Sequence, residues 1–201
     1  MNLLAIDTST ERGSVTLLVD GELRLNEVFS ADRSHSATLF TVIERARALV
    51  DRVDIVAVGL GPGSYAGIRI AVAAAIGFQV GLGCRIVGLP SVVALETAEP
   101  RYCAVGDARR DAFYFTRVEE GRCVDGPRLV SADELHALET EFSALPFFAP
   151  APLPASARAT VALPLARNLA HWAAAGIGIV AEGALEPLYL RDPHITQPKV
   201  R

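Results

Sequence analysis

The stretch Gly59-Leu60-Gly61-Pro62-Gly63-Ser64-Tyr65-Ala66-Gly67-Ile68-Arg69 constrains this chain more than any other. A short apolar run, Ile55 to Val58, precedes it and reads as a buried strand. A long apolar run, Ile70 to Leu82, follows it and reads as a helix. The stretch is therefore a strand–turn–helix junction. Gly61 and Gly63 open backbone angles closed to other residues, and Pro62 fixes its own φ between them. Ser64 is placed to cap the helix by accepting a bond from a first-turn amide. Two readings of the loop stay open: an anion cradle at a helix N-terminus, or a tight turn that packs the helix on a sheet. It is not a Walker loop, because no Lys-Ser/Thr pair follows the glycines.

Around this junction the first hundred residues read as an α/β unit. Leu3 to Ile6, Ser14 to Val19 and Glu22 to Phe29 are strands, with Asp20-Gly21 a hairpin signal between the last two. Asp7, at the end of the first strand, either faces metal and phosphate, as in actin-like ATPases, or closes an Asx-turn. Ser34 or Ser36 can cap a first helix, with His35 beside them. Leu39, Val42, Ile43, Ala46, Leu49 and Val50 fall at helical spacing. The helix after the junction has no polar stripe from Ile70 to Phe78, so it needs cover on its outer side too. That makes the helix pair either a core layer or a partner surface. Cys84 to Val87 is a fifth strand, parallel to the fourth, and Pro90 to Ala98 a short helix.

In the second half, Tyr102 to Val105 and Ala112 to Val118 read as strands flanking the Asp107–Asp111 turn. Ser131-Ala132-Asp133-Glu134 is a capping box for a short helix. The segment 146–164 carries five of the twelve prolines and reads as a loop. Leu165 to Ala175 is a last helix, and Glu186 to Arg191 an extended tail.

Composition narrows the function. The chain has 201 residues and a net charge of −4, with a pI near 5.6. Gripping nucleic acid unaided needs basic clusters, so direct binding is disfavoured. Cys84, Cys103 and Cys123 lack any CxxC spacing and suit reduced thiols. No basic n-region precedes the first strand, and the Ile70–Phe78 run is short of the roughly 20 apolar residues of a membrane span. We expect a soluble cytoplasmic protein. His35, His136, His171 and His194 share no ligand or triad spacing.

Four strings together resemble the bacterial TsaB (YeaZ) family. They are Leu4-Ala5-Ile6-Asp7-Thr8-Ser9-Thr10, the junction from Gly61 to Ile70, Asp107-Ala108-Arg109, and Pro187-Leu188-Tyr189-Leu190-Arg191. They span nearly the whole chain in order. The GPGSYxGxRI string is specific, whereas the IDTST string fits many actin-like kinases. The resemblance implies an α/β fold of two actin-like (ribonuclease H-like) domains, residues 1–100 and a reduced 101–201. It also implies a non-catalytic partner of the paralogue TsaD in threonylcarbamoyladenosine (t6A) modification of tRNA. TsaD transfers a threonylcarbamoyl group to adenosine 37 of ANN-decoding tRNAs, and the ATPase TsaE works with the pair. Contact with tRNA is then only indirect.

TsaD carries an HxxxH metal pair where this chain has Leu89-Pro90-Ser91-Val92-Val93-Ala94-Leu95, which lacks any metal-binding side chain. We therefore assign no catalytic, cofactor or metal residues. The rival reading is an ATP-binding kinase or hydrolase of the same superfamily, with Asp7 to Thr10 as its first phosphate loop. In the family the first two helices pack on those of TsaD, or pair two TsaB copies. The interface expected here is Leu39, Ile43, Tyr65, Ile68, Arg69, Val72, Ile76 and Gln79, so that Val72→Asp would break association.

Overall fold

The computed structural model describes residues 1–30, 35–180 and 185–191. Its first sheet grows from β1 (Asn2–Asp7), in which Leu3, Leu4, Ala5 and Ile6 are fully buried. β2 (Arg12–Val19) and β3 (Glu22–Ser30) extend it as an antiparallel meander. Asp20 and Gly21 both take positive φ in the turn between them, as the Asp-Gly pair predicts. α1 (His35–Arg47) comes next, then β4 (Ile55–Gly59), α2 (Tyr65–Leu82) and β5 (Arg85–Leu89). β4 pairs parallel with both β1 and β5. Parallel neighbours need a crossover, and α2 supplies the one from β4 to β5.

Side chains alternate across this sheet. Leu4, Ile6, Val56, Val58 and Ile86 face a core shared with α1 and α2. Leu3, Ala5, Ile55, Ala57 and Val87 face a second core on the other side. Cover on both faces explains why these strands are continuous apolar runs.

The sequence suggests a short helix over 90–98, but the chain makes only a 3-10 turn at Ser91–Ala94. Leu95 then becomes extended and bridges to Pro164, which ends the turn. The second sheet is built from β6 (Arg101–Asp107), β7 (Phe113–Glu119) and β8 (Arg122–Val130). Arg109, Arg110 and Asp111 all take positive φ in the β6–β7 turn, where Asp107 Oδ1 accepts from the Arg109 amide at 2.6 Å. β8 has no clear signal in the sequence, because Gly126-Pro127 interrupts it; as an edge strand it tolerates the missing amide.

α3 (Ala132–Glu141) starts with the expected capping box, the Ser131 hydroxyl accepting from the Glu134 amide and Glu134 from the Ser131 amide. The proline-rich segment is not all loop: it holds β9 (Phe147–Ala149) and β10 (Ala159–Val161). Each is three residues long, too short to show a period, and the prolines flank them. The Arg158 guanidinium fixes this segment by donating to the carbonyls of Glu139, Phe142, Ser143 and Leu145. The sheet order is β10-β9-β6-β7-β8.

The chain then returns to the first sheet. α4 (Ala166–Ala174) packs on it, and β11 (Ile179–Val180) pairs antiparallel with β5. The order there is β11-β5-β4-β1-β2-β3. Ala166, Leu169, Ala170 and Ala173 share one core with Leu3 and Ala5 of the first sheet and Tyr102, Ala104 and Tyr114 of the second. Side chains therefore fill the space between the sheets. Ser34, and the side chains of His35 and Ser36, lie outside the described residues.

Candidate functional site

The junction packs against the β1–β2 loop by backbone contact. The Ser64 amide donates to the Ser9 carbonyl at 2.7 Å, and the Thr8 hydroxyl to the Gly67 carbonyl at 2.7 Å. Only glycine fits at three positions here. An added Cβ would lie 2.1 Å from Ser9 O at Gly63, 2.0 Å from Thr8 O at Gly67 and 1.9 Å from Asp7 Oδ2 at Gly59. The Gly61 amide is bonded to Ser91 Oγ at 3.0 Å, and the Gly67 amide to the capping Ser64 hydroxyl at 3.3 Å. The amides of Gly61, Ser64 and Gly67 are thus all used inside the protein. Of the two readings of this loop, the geometry matches the tight turn.

Asp7 is fully buried. Its Oδ1 accepts from the Ser9 amide at 2.9 Å and the Ser9 hydroxyl at 2.7 Å, which makes the Asx-turn. Oδ2 makes no well-formed hydrogen bond. Desolvation raises the Asp7 pKa, with Ser9 and the neighbouring Ser91 hydroxyl pulling the other way. A raised native pKa stabilises the fold below the unfolded value and loses that contribution as pH rises through the native one. Asp7→Asn cannot ionise. We therefore expect the stability of the wild type relative to Asp7→Asn to fall as pH rises from about 4. Urea unfolding of both proteins between pH 4 and 8 checks this, and parallel pH curves would refute it.

The other groups with a possible chemistry among the described residues are the Ser91–Ala94 turn and the cysteines. Ser91–Ala94 is buried and carries no metal-binding side chain, and no group of three or more His, Cys, Asp or Glu could hold a metal ion there. All three cysteines are free. Burial pushes the Cys103 and Cys123 thiols up to about 12, far from thiolate reactivity.

The outer face of α2 is different. The helix is long and apolar enough to cross a membrane by composition, yet Gly67, Ile68, Ala71, Val72, Ala74 and Ala75 are buried in the fold. The opposite face is uncovered: Tyr65, Arg69, Ala73, Gly77 and Val80 form an exposed stripe. Val80 is 82% exposed, and Phe40 of α1 and Leu82 widen the apolar surface. Phe40, Ala73, Gly77, Phe78 and Leu82 line a groove between the two helices.

The eight residues expected to meet a partner are divided by this geometry. Leu39, Ile43, Ile68 and Val72 are at most 5% exposed and belong to the core under α1 and α2. Their side chains have no free surface, which corrects their placement on the outside. Ile76 and Gln79 are half-buried, while Tyr65 and Arg69 are exposed. Phe40, Ala73, Gly77 and Val80 are exposed instead. The i, i+4 series from Tyr65 marks most of that stripe in the sequence. Tyr189 joins it from the tail. The Leu188 amide donates to the Leu60 carbonyl at 2.8 Å, which sets the Tyr189 ring 5.3 Å from that of Tyr65.

Two sheets, with a β-meander and a parallel βαβ unit in the first, define an α/β protein of the actin-like, ribonuclease H-like class. A family model described as "TsaD: tRNA N6-adenosine threonylcarbamoyltransferase" matches residues 29–143. The chain is 35% identical over 130 residues to the tRNA threonylcarbamoyladenosine biosynthesis protein TsaB of Haemophilus influenzae, covering 59% of this chain and 54% of that protein. The Escherichia coli TsaB is 28% identical, covering 59% and 55%. The chain spans about half the length of these curated relatives. The solved structure of YeaZ from Pseudomonas aeruginosa superposes with a TM-score of 0.74 at 26% identity, over 94% of this chain and 99% of that one. A Pseudomonas aeruginosa protein described as similar to peptidase YEAZ gives a TM-score of 0.77 at the same identity and coverage. The chain belongs to the TsaB (YeaZ) family.

Proposed function

We propose that this chain is the non-catalytic, TsaD-binding subunit of the t6A tRNA-modification system. It supports threonylcarbamoyl transfer to adenosine 37 of ANN-decoding tRNAs in the cytoplasm. The observation that carries this reading is the uncovered, largely apolar outer face of α2, where Ala73 and Gly77 let a partner helix come close. TsaE joins through TsaD, and without TsaD the same face pairs two copies of the chain. A net charge of −4 favours indirect contact with tRNA. The ATP-binding alternative gains no support, since the hydroxyls of Thr8 and Ser9 and the amides of Gly61 and Ser64 already bond within the protein.

Reconstitution of t6A formation from TsaD, TsaE and tRNA, with and without this chain, tests the role. Gly77→Trp tests the surface. Nothing lies within 4 Å of a Cβ at Gly77, so the indole projects outward and the monomer keeps its stability. Affinity for TsaD is expected to fall at least about tenfold, or about 1.4 kcal/mol, and t6A formation with it. A Gly77→Trp protein that binds TsaD like the wild type would remove this face from the interface.

A further inference from the structure

We infer that Arg69, held by Tyr65 and Tyr189, is a receptor for a carboxylate side chain of the protein that covers α2. This rests on the reading of the α2 face as the partner surface and names the chemistry that the partner must bring.

Arg69 is the only charged residue between Tyr65 and Leu82. Elsewhere Arg45, Arg117 and Arg167 pair with Glu27, Glu119 and Glu96. Arg69 has no carboxylate partner among the described residues. Its Nη1 donates to the Tyr65 hydroxyl at 2.5 Å, and its guanidinium carbon lies 5.1 Å from the Tyr65 ring centre. A further contact reaches the Tyr189 side chain, and none of its donors meets a carboxylate among the described residues. Tyr65 and Tyr189 are 51% and 46% exposed.

This geometry presents a positioned fork, with no carboxylate against it among the described residues, on a largely apolar face. A partner that covers α2 takes Arg69 out of water. Burying an unpaired charge is costly, and tyrosine hydroxyls do not neutralise a guanidinium. The partner must therefore supply the counter-charge, and a carboxylate matches the fork with two parallel N–H···O bonds. Tyr65 already restricts the side chain, so little rotamer freedom remains to be lost on binding. Both tyrosines are tied to one loop, through the Ser64–Ser9 and Leu188–Leu60 backbone bonds. The receptor is therefore in place before the partner arrives. Buried aromatic and arginine side chains are the residue types that concentrate binding energy at interfaces. Two arginines, Arg69 on α2 and Arg47 in the groove beside it, on a chain of net charge −4 do not suit a nucleic-acid backbone, which needs several cations.

The discriminating variant is Arg69→Met, which keeps length and removes charge. We expect it to weaken binding to the same organism's TsaD at least tenfold in titration calorimetry, because it strands the partner's carboxylate. Arg69→Glu should weaken binding further, and Tyr189→Ala less. The salt dependence of wild-type binding between 50 and 500 mM should be largely lost in Arg69→Met. Arg69 is outside the core, so thermal melting of each variant should match the wild type. If Arg69→Met binds as tightly as the wild type or more tightly, the carboxylate receptor is refuted while the α2 interface stands. If the wild type itself does not bind TsaD, the interface reading falls, and this inference falls with it.

Discussion

Val72→Asp should strongly destabilise the isolated protein. Val72 is 5% exposed on the inner face of α2, in the core with Leu4, Ile6 and Val56. A carboxylate there has no cation to pair with and loses its water. Uncompensated buried charges cost about 3–5 kcal/mol, against a typical total stability of about 5–15 kcal/mol. For a chain of this length that corresponds to a fall in Tm of about 10 °C or more. A thermal melt followed by circular dichroism reads the effect directly. A Val72→Asp monomer with wild-type Tm would mean that α2 presents its other face to the sheet, and would restore Val72 to the surface.

Gly67→Ala and Gly77→Ala, ten residues apart in one helix, should shift stability in opposite directions. At Gly67 the new methyl would meet the Thr8 carbonyl at 2.0 Å. The obstacle is backbone, so the β1–β2 loop must move and the Thr8–Gly67 bond is lost. Overpacking of this kind costs about 1–3 kcal/mol or more. At Gly77 the methyl enters open space, and the better helix propensity of alanine adds about 0.8–1 kcal/mol of stability. Urea unfolding of the pair cancels the shared propensity term and isolates the clash. Equal stabilities would show that the two loops are not interlocked.

The fold is legible in the sequence where its signals are local. Asp20-Gly21, the Ser64 cap and the Ser131–Glu134 box each act within a few residues, and each is found as read. β8 is hidden because Gly126-Pro127 breaks its alternation. β9 and β10 have too few residues for any period, and β11 has only two.

The candidate site is legible in part. The junction's role as an elbow follows from its glycines and Ser64. The direction of α2 does not, because a helix apolar on all sides has no hydropathy stripe to point its core face. Choosing the bulkiest aliphatics selects Leu39, Ile43, Ile68 and Val72, the residues a core retains. Ala73 and Gly77 belong to a run rich in small residues, Ala71 to Gly77, that lets another helix come close, but nothing in that run tells which of them face outward. Tyr189 enters only through a tail 124 residues away in sequence from Tyr65.

The late return of the chain to its first sheet has a consequence for synthesis. The Ala166 amide bonds to Ser14 Oγ across a sequence separation of 152. Leu3, Ala5 and Ala57 take their cover from α4 and from the second sheet. On the ribosome, β1 and β4 therefore wait with one face bare until α4 emerges. Nascent chains in that state expose apolar surface to their neighbours. The same long-range closure that fills the space between the two sheets leaves that face uncovered in a chain synthesised only part-way.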